Sequence, residues 1–297
     1  MSWPITPPRF LKITALIFGC TLMLAKAETI LATAKKVPDG AKIDGVGDDA
    51  CWKAVTSTSV TLLGIGELRD KNTPSNFKAV HDGTSIYMLV VWDDKTENRN
   101  HKSFTWNAKK GFYTESTEVE DQFSVAWEMK GAFTANMLTP VRAKYPWSWD
   151  VWQWGAARTD PLSLAKDMIY YFSSKQLKNV KPQKQHRSRQ GIIWIIRPED
   201  KGSPIYKAVT VNRRKKTKDV LQPFQLGKPT GSAADVKAKG VWADGKWTIE
   251  FSRKLNTLQK DDKTLIPGKS YKVAFASFDQ FEAHTHYASK VVRLKIE

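Results

Sequence analysis

Two stretches of this chain gather side chains fitted to hold a ligand. In residues 120–161, an apolar–polar alternation from Asp121 to Glu128 leads to two methionines, Met129 and Met137, near the turn-forming Gly131 and Asn136. Four tryptophans then fall within eight residues: Trp147, Trp149, Trp152 and Trp154. A surface loop gains nothing from so much indole. A wall around a large flat ligand does, because each ring offers wide apolar contact and one N–H donor. A tryptophan-rich sandwich core accounts for the same composition, and both readings stay open. In the second stretch, His284, His286 and Lys290 share the parity of Val292, Leu294 and Ile296. A strand unbroken through all six turns the imidazoles and the amine inward with those apolar residues. Histidines at i and i+2 also suit a satisfied structural pair or a weak metal site. His101, in a polar segment, reads as a solvated loop histidine.

Other chemistries lack their residues. No C-x-x-C-H run occurs, which excludes covalent c-type haem attachment, and there is no cysteine cluster for zinc or iron–sulfur. No Ser-His-Asp set, metal-binding motif or phosphate loop stands out.

The elements that must position these residues read as strands. Residues 55–63, 77–80, 85–92, 120–128, 190–197, 238–242, 246–253, 271–278 and 288–296 are short, rich in β-branched and aromatic residues, and bounded by turn signals. His81-Asp82-Gly83 and Asp244-Gly245 mark hairpins, and Ile86, Met88, Val90 and Trp92 share one face. Residues 93–111 read as a polar loop, and residues 158–168 as a turn at Asp160-Pro161 followed by a short helical or irregular piece. Few helical periods occur. The fold class is therefore all-β, an antiparallel β-sandwich resembling a carbohydrate-binding-module or immunoglobulin-like sandwich, with few short helices.

The chain has 297 residues, twelve tryptophans and a net charge of +17. Such charge suits an acidic partner: another protein, an anionic surface or nucleic acid. Residues 1–27 have the form of a secretory signal peptide: basic Arg9 and Lys12, an apolar run from Ile13 to Ala25, and the small-x-small site Ala25-Lys26-Ala27. The apolar run has 13 residues, short of the ~20 that span a bilayer as a helix. The expected organisation is residues 1–27 as leader and 28–297 as one domain, exported to the periplasm or an equivalent extracytoplasmic compartment. Export argues against nucleic acid, and no membrane span is expected after cleavage. Only Cys51 then remains, so no intrachain disulfide forms; it reads as a buried thiol. Residues 175–218 hold 14 Lys or Arg against Glu199 and Asp200. They mark a basic insertion at about 175–228, either a docking surface or a solvated insertion.

Three blocks carry a resemblance: EDQFSVAWEM with DVWQWGAARTDP, then PTGSAADVKAKGVWADGKWTIEFSRKLNT, then YKVAFASFDQFEAHTHYASKVVRLKI. In this order they resemble the ethylbenzene-dehydrogenase-related haem-binding domain. That family supplies γ subunits of periplasmic molybdenum enzymes, among them ethylbenzene and dimethylsulfide dehydrogenases, selenate and chlorate reductases, and some nitrite oxidoreductases. The match spans roughly residues 38–297 and is poor between about 175 and 228. The resemblance implies a non-covalent haem b with two axial ligands. One is a methionine after the first strand block, Met137 ahead of Met129. The other comes from the C-terminal hairpin, where the family's lysine position holds His286; Lys290 and His284 follow as alternatives. Trp127, Phe133, Trp152, Trp154 and Phe275 are expected around the haem, with Arg158 pairing a propionate or serving as a surface ion-pair residue. The implied partners are an iron–sulfur β subunit, a molybdenum catalytic α subunit and a soluble cytochrome. The chain itself is then an electron-transfer subunit and not a catalyst. A different class, an exported carbohydrate-binding module without haem, predicts tryptophans on an open face.

Overall fold

The computed structural model describes residues 30–134, 147–178, 183–188, 191–198, 201–281 and 285–297. The leader, Met137 and His284 lie outside the described residues. In chain order the strands are β1 (Ile30–Lys36), β2 (Thr58–Ile65), β3 (Asn72–His81), β4 (Ser85–Asp93), β5 (Phe104–Asn107), β6 (Phe112–Glu115), β7 (Gln122–Lys130), β8 (Trp147–Gly155), β9 (Lys166–Ser173), β10 (Gln183–Ser188), β11 (Gly191–Ile196), β12 (Tyr206–Ala208), β13 (Val220–Leu221), β14 (Phe224–Leu226), β15 (Lys237–Ala243), β16 (Lys246–Lys254), β17 (Ser270–Phe278), β18 (His286–Ser289) and β19 (Val292–Ile296). One α-helical turn, α1 (Ala50–Lys53), buries Cys51 and Trp52.

Two layers form, and period-two patterning explains why they stack. One layer runs β2-β3-β4-β16-β15 and the other β17-β7-β8-β9-β11-β10. Ile86, Met88, Val90 and Trp92 of β4 all face the space between them, as their alternation requires. There Trp92 stacks on Phe123 of β7 at 5.0 Å, and Phe77 of β3 meets Phe275 of β17 at 4.8 Å. The hairpin turn of β15–β16 needs left-handed backbone, which Asp244 (φ 50°) and Gly245 (φ 73°) supply.

β17 joins the layers along one edge. Its Ala276 and Ser277 pair with β18, which continues to β2. Its first four residues pair with β19, which runs parallel to β1 and so reaches β3.

Several expectations are corrected here. The 93–111 segment is not all loop: β5 and β6 form a hairpin, with β13 added beside β5. His101 is 7 % exposed and lies 3.8 Å from buried Glu120, not in solvent. After the 3-10 turn at Asp160–Leu162 comes strand β9. Within the basic insertion, β10 and β11 extend the second layer, and β12 pairs with β14 in a separate two-stranded sheet. Among the described residues no helix is long and apolar enough to cross a membrane.

Charge is also built into the core. Arg253 is 1 % exposed, its Nη1 donating to Asp150 Oδ2 at 2.6 Å and its Nη2 to the Lys263 carbonyl at 2.6 Å. Asp262 and Asp167 stand 3.6 and 3.9 Å from the same Nη1, and the Trp152 ring lies 4.8 Å from the guanidinium carbon.

Candidate functional site

The C-terminal hairpin is where the strand arithmetic changes. Ala276 pairs with Ala288, but Val273 pairs with Val292. Three steps on β17 therefore oppose four on its partner, and the extra residue near Lys290 inverts the facing of everything before it. The backbone N–H of Phe275 donates instead to Ser289 Oγ at 2.9 Å. As a result Val292, Leu294 and Ile296 face the inner core, while His286 and Ala288 face the outside of the second layer. The expectation of one shared inward face is overturned, because the strand is broken between them. Lys290, at the break, is exposed.

That outer face is apolar rather than solvated. Ser124 and Ala126 of β7, Ala274 and Ala276 of β17, and Ala288 of β18 make a floor of short side chains. Thr134, Trp149 and His286 rise at its margins. His286 is 5 % exposed and stacks on Phe278, with ring centroids 4.9 Å apart at 26°. The packing continues through Phe133, 4.9 Å from Trp149, and Phe172, 4.4 Å from it. The Trp149 indole N–H donates to the Ala132 carbonyl at 2.9 Å, which ties the chain beyond β7 to this wall. Thr134 and Trp147, the described residues on either side of 135–146, both belong to this side of the sheet. Behind His286, burial and then the Asp279 carboxylate push the Tyr287 hydroxyl upward in pKa.

The tryptophan run divides between two faces. Period two puts Trp147 and Trp149 outside with Val151, and Trp152 and Trp154 inside with Trp127. Trp127, Trp152 and Trp154 are wholly buried between the layers, and their rings do not border the cleft beside His286. The ring of Phe275 also joins the inner core. Met129 sits half-buried where β7 shifts register against β8, between Glu128 and Lys130. Arg158 is held by Glu120, whose Oε1 accepts its Nε–H and whose Oε2 accepts its backbone N–H at 2.9 Å. It also lies over the Tyr206 ring at 5.2 Å, lining a separate cleft of about 480 Å³ with His101, Lys102 and Arg213. Its guanidinium pairs with the buried carboxylate of Glu120. Sequence reading missed Ala274, Ala276 and Ala288; their signal was alanine at alternate positions on β17, with one alanine on the strand beside it.

Fold and cleft together define a β-sandwich whose outer face carries a small-residue floor edged by a buried imidazole. The chain belongs to the ethylbenzene dehydrogenase family, whose sequence profile matches residues 49–289. No curated protein sequence matches it. Among solved structures it is similar to a proposed carbohydrate-binding protein from Bacteroides uniformis, with TM-score 0.44, 8 % identity, and 91 % of this chain and 100 % of that one covered. It is also similar to a family 9 carbohydrate-binding module from Caldicellulosiruptor kristjanssonii in complex with glucose, with TM-score 0.38, 10 % identity, and coverage of 90 % and 95 %.

Proposed function

We propose that this chain is a haem b-binding electron-transfer subunit of an exported molybdenum oxidoreductase, relaying electrons between an iron–sulfur subunit and an external redox partner. The observation that carries the reading is a buried imidazole at the edge of an alanine floor, beside the two ends of the segment that contains Met137. The residue types suit a non-covalent haem, although the described space over the floor is only about 10 Å³. Short side chains let a flat macrocycle approach the sheet, the Trp149 indole borders the floor with Phe133 and Phe172 packed against it, and imidazole is an axial donor. Haem iron supplies a one-electron ferric–ferrous couple when bound.

His286 holds the axial role and Met137 is its partner. Stacking on Phe278 keeps the imidazole from turning. Lys290 is exposed at the strand break and is not among the side chains that line the alanine floor. Met129 ranks behind Met137 because it belongs to β7 itself. The apolar surroundings keep water from the ligand. The +17 net charge, concentrated in the 175–218 insertion, speeds encounter with an acidic partner surface. The catalytic subunit and a soluble cytochrome complete the relay. The carbohydrate-binding alternative asks for tryptophans on an open face; among those described, Trp106, Trp194 and Trp242 are half-buried and the others buried.

The test is the visible spectrum of the chain expressed in an export-competent host, oxidised and then reduced with dithionite. A sharp reduced α band with haem extractable into acid acetone is the expected result. A protein that stays colourless after haem is added, alone and with its partner subunits, overturns the reading.

A further inference from the structure

At one end of the sandwich three carboxylates meet where neighbouring strands begin or end. Asp94 follows β4, Asp121 precedes β7 and Asp279 follows β17, and one oxygen from each lies within 4.8 Å of the others. Asp94 is 3 % and Asp121 0 % exposed, while Asp279 is half-buried.

Each buried carboxylate is anchored through one oxygen. Asp121 Oδ2 accepts the Asn98 N–H at 2.8 Å and the Trp247 indole N–H at 3.0 Å. Asp94 Oδ1 accepts the Thr96 N–H at 3.1 Å. The remaining oxygens, Asp121 Oδ1 and Asp94 Oδ2, are buried and meet no hydrogen-bond partner among the described residues. The backbone is clamped as well. The Asp94 N–H donates to the Gly245 carbonyl at 2.9 Å, and the Trp242 indole N–H donates to the Asp94 carbonyl at 3.0 Å. The Ala156 N–H donates to the Asp121 carbonyl at 2.9 Å. Among the described residues no lysine, arginine or histidine forms an ion pair with any of the three, although Lys246 lies next door on Asp93 and Arg99 on Asp160.

Rigid carboxylates converging without a counter-charge are costly in a desolvated corner unless protons or a cation neutralise them. We infer that Asp94, Asp121 and Asp279 form a site for a hard divalent cation of the calcium class. The donors are all oxygen, which disfavours zinc, whose sites draw on sulfur and nitrogen. Calcium takes roughly 6–8 oxygens in flexible geometry, so three carboxylates and solvent entering beside Asp279 complete its shell. Magnesium demands a near-ideal octahedron that clamped groups from three separate strands are poorly placed to give. Asp279 also opens the connection from β17 to His286, so the ion pins the root of the segment that presents the imidazole. The site stands independently of the haem reading.

The test uses the purified full chain, stripped with a chelator and titrated with calcium, magnesium and terbium. Calcium is expected to raise Tm by about 5–10 °C at a hundredfold excess over Kd. Terbium is expected to give emission on tryptophan excitation, because Trp247 touches Asp121. Asp121→Asn and Asp94→Asn should each abolish both signals while the cation-free variants melt no lower than the stripped parent, since each removes a repelling charge. Asp279→Asn, on the more open side, serves if either fails to fold. No change in Tm or emission up to about 10 mM calcium, above the range of extracellular calcium modules, overturns the inference. So does a calcium response that survives in the variants, or an equal response to magnesium.

Discussion

Replacing His286 with alanine separates a ligand from a packing residue. The imidazole is 5 % exposed, so its loss removes one stacked contact with Phe278 at 4.9 Å and leaves a small void above Ala288. An aromatic pair contributes about 0.5–1.5 kcal/mol beyond its area. Neither β18 pairing partner is touched, because His286 joins Ile65 through its backbone. The expected cost is about 1–2 kcal/mol, against the ~5–15 kcal/mol by which domains are stable. At roughly 2–4 °C per kcal/mol, Tm falls by about 2–8 °C and the domain stays folded at room temperature. Haem retention should fall much further. Losing even an outer-shell partner costs a metal site about 10–100-fold, and a direct ligand costs at least that. The assay is a haem titration of the variant and its parent, with reduced spectra recorded with and without added imidazole. The α band should shift or vanish in His286→Ala and return with imidazole, while circular dichroism stays native. A variant that binds haem with the parent's affinity and an unchanged reduced spectrum refutes the reasoning, and shows His286 to be only a packing residue.

Three further outcomes follow from the same structure. Ala276→Phe sets a ring on the alanine floor while leaving the inner core alone, so haem uptake should be lost at a stability cost of about 1–3 kcal/mol; a haem titration with a parallel urea melt reads both. Arg253→Met leaves Asp150, Asp167 and Asp262 buried without their cation and should cost about 3–5 kcal/mol in urea denaturation, partly recovered by adding Asp150→Asn. Burial and then the bond to Asp82 push the Tyr87 hydroxyl up to about 12 from its ordinary 10.0. The fold thus favours the neutral phenol. That stability is present below pH 10 and drains away as pH rises from 10 toward 12, so the gap between the parent and Tyr87→Phe should narrow over that window in pH-dependent melts.

Much of the framework is legible in residues close together in sequence. The alternation in β4, the positive-φ Asp244-Gly245 turn and the buried Cys51 each follow from local patterning. The tryptophan run was legible only in part. Its indoles recur, but Trp152 lies three positions after Trp149, and on a strand that odd step sends the two to opposite faces. Read with period two, the run already says that half of it belongs to a core and half to an outer surface. Arg158 was undecided because its partner, Glu120, lies 38 residues away.

By itself the sequence determined the all-β class, the hairpins and the imidazoles at 284 and 286, since each depends on residue type or on neighbours a few positions apart. Only the tertiary structure decided which way His286 points. One extra residue near Lys290, absorbed where β17 changes partner from β18 to β19, moves the imidazole from the packed interior to the alanine-floored outer face. The same holds for Asp94, Asp121 and Asp279, which no spacing connects and which meet because β4 and β17 end and β7 begins at one corner. Side-chain period is a local property, but facing depends on register, and register is set by the strand across the sheet.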